Sequence, residues 1–370
     1  MTDAPFKIPF YAKAALIFIA VFALVYTLYI GQDIIIPLVY ATIIAVLLNP
    51  LVNFLTRKKI SKLVSISLAT LLAIVATLGV LYVVSSQVGM FSETYPQLKA
   101  KFNAGSAELT QWFSEKSGIR QSKISAWVAE SKSDALDDFA IGEKLSEAGR
   151  LLTVAVLLPV YLFMILYYKP LLLEFISRLF RAEHHVTVVE VLTKTKRIVQ
   201  SYLTGLFFEV VIIAVLNSAG LLLLGIDYAV ILGITGAILN IIPYIGGIIA
   251  IALPMMIAFV TKDSAVYPVL VLLVYLFIQF IDNNYIVPKI VAARVKINAL
   301  VSVIVVLIGG ALWGVPGMFL SIPLTAILKV VFDHIEALKP WGFLLGNIVP
   351  AVSRFKFPRL KRTAVSPGEK

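Results

Sequence analysis

Glu209 is the one charged side chain in the apolar stretch Ile198–Ile226. A charged group at the centre of a membrane helix costs roughly 2.5–3.5 kcal/mol on insertion scales, so Glu209 is expected to face protein. Helical spacing puts Gly205, Leu216 and Gly220 near its face and Asn217 on the flank. Small residues there let another helix approach. A carboxyl group so placed can exchange a proton or a sodium ion, or it can only hydrogen-bond a neighbouring helix. A second polar group is Gln279-Phe-Ile-Asp282-Asn283-Asn284, followed by Pro288-Lys289. Its amide and carboxylate oxygens are of the kind that coordinate a hydroxylated solute or Na⁺. A helix cap is the plainer alternative. The third group is backbone. Gly233, Gly236 and Asn240 line one helix face leading to Pro243, Gly246 and Gly247, and Gly314, Pro316 and Gly317 interrupt a later apolar run. Breaks of this type free N–H and C=O groups that can hold a polar solute or an ion. Asn49 and Asn53 are further candidates for the same path.

The elements that must carry these groups follow from composition. The 370 residues are 60% hydrophobic and 14% charged, with mean hydropathy +0.94. A soluble domain is about 45–50% apolar and about 25% charged, so this chain has too little polar surface for a water-facing globule and reads as an all-α polytopic membrane protein. The net charge of +11 does not indicate nucleic acid, because the basic residues lie in short runs between apolar blocks. With no Cys, disulfides, thiolate metal sites and Cys nucleophiles are excluded, and three His, two of them adjacent at His184 and His185, do not make a metal centre. There is no Gly-Lys-Ser/Thr nucleotide loop, no nucleophile–base–orienting set for catalysis, and no cofactor is expected.

The apolar blocks are Ala14–Ile30, Ile34–Thr56, Leu63–Ser92, Leu151–Tyr168, Ile198–Ile226, Tyr228–Thr261, Ser264–Ile281 and Ile297–Leu328. A cleaved signal peptide competes for the first, but no small-x-small site precedes Asp33 and a second apolar block follows at once. Tyr228–Thr261 and Ile297–Leu328 are too long for one ordinary crossing and are broken by Pro and Gly near their middles. Each is expected to form a hairpin of two short helices, with its turn shielded from lipid. Five helices precede the first hairpin, and one crossing separates the two.

Basic loops set the orientation. Lys7 and Lys13 precede the first block, and Arg57, Lys58, Lys59 and Lys62 follow the second. The positive-inside rule therefore puts both in the cytoplasm. Residues 93–150, with eight basic and nine acidic residues, fall outside, and residues 169–197, with six and three, return inside. The first hairpin then enters and leaves on the outer side and the second on the cytoplasmic side, an inverted pair of the sort that brackets transporter sites. Two unrelated hairpins are the bland alternative. The expected division is 1–92 (three crossings), 93–150 (outer amphipathic helices, two or three, serving as a cap or oligomer contact), 151–335 (transport region, hairpins at about 228–261 and 297–328) and 336–370 (basic cytoplasmic tail drawn to anionic lipid). Residues 169–200 are expected to form an interfacial helix, with His184 and His185 solvated in its loop. Trp313 is expected to pack at an interface.

At Leu224-Gly-Ile-Asp-Tyr-Ala229, Asn240-Ile-Ile-Pro-Tyr-Ile-Gly246, Gln279-Phe-Ile-Asp-Asn-Asn284 with Pro288-Lys-Ile290, and Gly309-Gly-Ala-Leu-Trp-Gly-Val-Pro-Gly317, the sequence resembles the autoinducer-2 exporter family of bacterial membrane proteins. The resemblance runs from about Ala14 to Ile335. Asp282 stands where the family often has Glu, and Leu206 follows Gly205 where many members have Gln. The resemblance implies a multi-helix transporter with broken-helix hairpins, expected in the inner membrane, and the basic runs put both termini in the cytoplasm. It also implies a homo-oligomer, a pentamer being one candidate, that exports small polar molecules such as autoinducer-2. Export of a hydroxylated metabolite by alternating access is thus the leading expectation. A Na⁺(Li⁺)/H⁺ antiporter using Glu209 or Asp282 stands second, and a non-transporting assembly protein acting through residues 93–150 stands third.

Overall fold

The computed structural model describes residues 9–117, 144–242, 245–262, 264, 266–292 and 297–347. Among these the chain is all helical. In order the helices are α1 (Phe10–Ile30), α2 (Gln32–Arg57), α3 (Lys62–Ser117), α4 (Lys144–Leu179), α5 (His185–Leu223), α6 (Ala229–Asn240), α7 (Ile245–Thr261), α8 (Val266–Ile281), a wide-turned π segment (Asp282–Ala292), α9 (Ala299–His334) and α10 (Lys339–Leu345). Seven of the described helices are long and apolar enough to cross a membrane, and α6 and α7 are shorter apolar helices.

Chain reversals use standard end chemistry. After α5, the Ile226 amide bonds the Leu221 carbonyl at 3.0 Å and the Gly225 amide bonds that of Leu222 at 2.9 Å, with Gly225 at φ +64°. This pairing satisfies the last carbonyls of the helix and requires the left-handed backbone that Gly adopts without strain. The same pattern closes α2 through Ile60 and Lys59, but with Lys59 at φ 65°.

Three packed groups build the bundle. Ala41, Ala45, Ala69 and Ala73 sit with Ile66, Leu162 and Leu166 between α2, α3 and α4. Small residues let these backbones approach, which matters because lipid gives helices no hydrophobic reason to associate. Ile36, Ile43, Val199, Trp313 and Leu320 join α2 and α5 to α9. Leu221, Leu232, Ala250, Ile257, Val271 and Tyr275 join α5, α6, α7 and α8. α1 buries no residue, so its surface is left for lipid or another chain.

The two ends of the bundle are marked by polar contacts. At one, Lys62 Nζ donates to the Tyr167 carbonyl (3.1 Å), Lys194 meets His334, and Asn298 bonds the carbonyls of Leu344 and Gly346. At the other, Lys101 Nζ caps α7 by donating to the carbonyls of Phe259 (3.3 Å) and Lys262 (3.1 Å).

Two segments differ from the sequence-based expectation. α3 passes residue 92 without stopping and continues to Ser117. Residues 93–117 are rich in Glu, Gln, Lys and Ala, good helix formers that prolong a helix once it has started. Nor do residues 169–200 make a separate interfacial helix. They are the end of α4 and the start of α5, joined by a short 3₁₀ turn at Ala182–His184. Leu171, Leu172, Leu173, Phe175, Leu179 and Phe180 at this junction are exposed. Residues 118–143 and the basic residues from Arg354 to Arg362 lie outside the described residues.

Candidate functional site

α6 stops at Asn240 and α7 starts at Ile245, and α7 packs back along α6. Gly246 lies directly on the Leu239 carbonyl, an approach that leaves no room for a side chain. Gly233 is pressed just as closely on the Ser218 backbone of α5. These contacts hold Asn240 at the broken end of α6, where its Nδ2 donates to Asp282 Oδ2 at 2.9 Å. Asp282 begins the π segment and is only 1% exposed, and its other oxygen has no hydrogen-bond partner. Gly247 faces Gln279 Oε1 and Asn240 Oδ1, at 3.6 and 3.7 Å from where a Cβ would stand.

Glu209 is 7% exposed, on the buried face of α5 that also carries Tyr202, Gly205, Ile213 and Asn217. Its carboxyl group is near enough to Asp282 for the two charges to interact. Two carboxylates in a dry site repel each other strongly, and one cation or proton between them relieves the repulsion. Further along α5, Asn217 Nδ2 and the Tyr275 hydroxyl both face Gly236, at 3.2 and 3.3 Å from where its Cβ would stand. Asn217 Oδ1, Thr235 Oγ1, Tyr275 OH and Asp282 Oδ1 are all buried without a partner. An unmet buried polar atom costs about 1–3 kcal/mol. The Asn217 and Tyr275 side chains gather at Gly236, next to Thr235 in the chain, whereas a fifth such atom, Thr70 Oγ1, is on α3.

An open cavity of about 440 Å³ lies beside this cluster, lined by Gln200, Ser201, Thr204, Gly205, Phe208, Ile212, Lys289 and Ile290. Gly205 is one turn before Glu209, and Lys289 is on the π segment that Asp282 begins. Hydroxyl, amide and ammonium groups thus border an opening next to the acid pair.

The sequence-predicted residues divide. Glu209, Asn217, Asn240, Gly246, Gly247, Gln279 and Asp282 share the region around the α6–α7 break. Asn283 and Asn284 are exposed, the first taking a 3.5 Å bond from Gln279 and the second donating to the Phe280 carbonyl. Pro243 lies outside the described residues. Gly314, Pro316 and Gly317 are at a different place. Gly314 has φ 63° and ψ −144°, and beyond it the chain turns back so that Gly309 meets Gly317 and Ser321. This turn packs on α1 and α2: Trp313 Nε1 donates to the Leu28 carbonyl (3.0 Å) and Tyr40 OH to the Pro316 carbonyl (3.3 Å). Asn49 is also elsewhere, accepting from Lys169 Nζ at 2.8 Å, and Asn53 is exposed.

Sequence reasoning missed Tyr275 and Thr235, as well as Tyr202 and Tyr40. Tyr202 is buried on the same face of α5 as Glu209, and the Tyr40 hydroxyl donates to the Pro316 carbonyl. Tyr275 was within reach, being four residues before Gln279 and seven before Asp282 on one helix face. Among the described residues no three His, Asp or Glu gather as a metal site.

Comparison with known proteins gives a consistent result. The profile of the AI-2E family transporters matches residues 16–337. The AI-2 transport protein TqsA of Escherichia coli is 26% identical over 320 residues, covering 86% of this chain and 91% of its own. The Bacillus subtilis protein YueF is 26% identical over 319 residues, 82% and 84% of the two chains. Bacillus subtilis YrrI is 34% identical over 134 residues, a match spanning 36% of this chain and 37% of the relative.

Proposed function

The chain belongs to the AI-2E transporter family, and from that premise we propose that it exports small polar, hydroxylated molecules such as autoinducer-2 across the inner membrane, binding them at the α6–α7 break. It is a multi-pass membrane transporter of a non-enzymatic family. The observation that carries the proposed site is the set of buried unpartnered atoms on Asn217, Thr235, Tyr275 and Asp282. Hydroxyls of a small polyol-like solute both donate and accept, which is what this mixture of amide, hydroxyl and carboxylate requires. Entry would be through the cavity bordered by Gln200, Thr204 and Lys289.

In this reading α6–α7 and the two halves of α9 are oppositely directed hairpins. The contacts of Asn240 with Asp282 and of Trp313 with Leu28 favour tips that point toward opposite faces. The end bearing Lys62, Lys169 and Lys194 would face the cytoplasm, as would both termini. Gly314, Pro316 and Gly317 would then form a second break, packed on α1 and α2 rather than touching the solute. Residues 93–150 and 336–370 would be an outer segment and a cytoplasmic tail flanking this region. The unburied α1 favours a homo-oligomer.

A second reading, Na⁺/H⁺ antiport, is favoured by one observation, the interaction of Glu209 with Asp282. Purified protein in liposomes separates the two readings when labelled autoinducer-2 and internal pH are followed together under imposed proton and sodium gradients. Solute flux with little sodium-driven pH change is the expected result. A sodium-driven pH change without solute flux, lost in Glu209→Gln, would instead establish the antiporter.

A further inference from the structure

An open cavity of about 640 Å³ lies between α2, α4 and α5, away from the acid pair. Its walls are apolar, formed by Ala45, Val46, Ile165, Leu166, Leu172 and Leu192. Lys169 and Lys196 also line it, and Lys62 is near enough to Lys169 for their charges to interact, as is Lys196. Lys169 Nζ is tethered to Asn49 Oδ1 at 2.8 Å, and Lys62 Nζ to the Tyr167 carbonyl at 3.1 Å with the Tyr167 ring 5.4 Å away. Several other cations at the helix ends are paired with acids: Arg178 with Glu174, Lys194 with Glu190, Lys329 with Asp333 and Lys339 with Glu336. Among the described residues none of Lys62, Lys169 and Lys196 has a carboxylate partner. Lys62, Lys169 and Lys196 come from α3, α4 and α5, and three cations without a carboxylate between them repel one another.

We propose that this cavity binds one anionic phospholipid, its acyl chain lying against the apolar wall and its phosphate on Lys169 and Lys196 with Lys62 beside them. The argument is charge complementarity joined to shape. A hydrophilic solute would leave the apolar wall unused, and a zwitterionic lipid would bring a further cation, its own ammonium group, beside the three lysines. The site shares no residue with the cluster at Asn240 and Asp282, so it stands whether or not the solute assignment above holds. By the charge distribution of the loops, the lipid belongs to the cytoplasmic leaflet.

The test titrates the purified full-length protein, in non-ionic detergent, with phosphatidylglycerol or phosphatidylcholine, and reads bound lipid by native mass spectrometry. Phosphatidylglycerol should be retained over phosphatidylcholine. Each lysine near an anionic headgroup contributes enough for about a 5-fold change, so Lys196→Gln should weaken phosphatidylglycerol about 5-fold and Lys169→Gln/Lys196→Gln about 30-fold. Lys196 makes no hydrogen bond among those found, so the single variant keeps the test decisive should the double variant fold badly. Lys169→Arg/Lys196→Arg, with charge retained, should stay within a few-fold of wild type. Inorganic phosphate and the deacylated headgroup should bind at least 100-fold more weakly than the lipid. Unchanged binding in Lys196→Gln and the double variant overturns the proposal. So does equal retention of phosphatidylcholine, which is an annular lipid only, or equal binding of free phosphate, which is an anion site without a lipid.

Discussion

Asn240, at the broken end of α6, donates a 2.9 Å hydrogen bond to Asp282 at the start of the π segment, a contact central to the proposed site. Asn240→Ala removes the donor and leaves a carboxyl that is 1% exposed with neither oxygen paired. A hydrogen bond to an ionised group is worth about 1.5–3 kcal/mol, one between neutral groups about 0.5–1.5. Asp282→Asn keeps the shape but makes the acceptor a neutral amide. Asn240→Ala should therefore cost about 1–1.5 kcal/mol more in the wild-type background than in Asp282→Asn, a coupling of roughly 5- to 12-fold. The assay is a double-mutant cycle on initial flux in proteoliposomes at solute concentrations well below saturation, where rate ratios convert directly to free energies. Gel filtration and thermal melts of the four proteins check that each is folded. Effects that simply add would refute a charged, hydrogen-bonded pair at the break, because a neutral or separated Asp282 has no reason to notice which residue occupies position 240.

Three more outcomes are expected. Tyr275→Phe deletes a buried hydroxyl without a partner, so the melting temperature should hold or rise while apparent solute affinity falls about 5- to 10-fold, a split that a purely structural Tyr275 would not give. Gly246→Ala and Gly309→Ala place a methyl group on the Leu239 carbonyl and on Gly317 with Ser321, and each should destabilise by about 1–3 kcal/mol in thermal melts. Gly79→Ala, with nothing within 4 Å of its Cβ position, should be neutral or mildly stabilising and serves as the control. Trp313→Phe should lower stability by about 1 kcal/mol by abandoning the Leu28 carbonyl.

What the sequence made legible is what one periodicity or one breaker can encode. Glu209 faces protein because helical spacing put Gly205 and Asn217 near its face, and the structure buries all three. The ends of α6 and α7 at Asn240–Gly246 were legible because Pro and Gly cannot be placed in a helix interior without consequence. The extension of α3 to Ser117 was not, since a change from apolar to charged residues marks a change of solvent and leaves helix propensity intact. The π segment was hidden for a related reason: Asp282-Asn-Asn reads as a cap, whereas the chain keeps winding and uses the wider turn to bury Asp282 and expose Asn283 and Asn284. Tyr275 was passed over because one Tyr among 15 in an apolar chain looks like an interfacial aromatic until a partner helix is known.

The separation of Gly314–Gly317 from Asp282 carries the most mechanistic weight. Two breaks lining one pocket would both change when a solute binds. Here one break carries Asn240 against the acid, and the other sits on α1 and α2, where Trp313 bonds the Leu28 carbonyl and Tyr40 bonds the Pro316 carbonyl. Glu209 is near Asp282 across the α5–π interface. A proton or cation that changes the charge on this pair alters how α5 packs on the π segment, and α5 also packs on α9. Were the proposed export to run by alternating access, a change of charge at α5, the one helix that contacts both broken elements, would link them without a long-range signal.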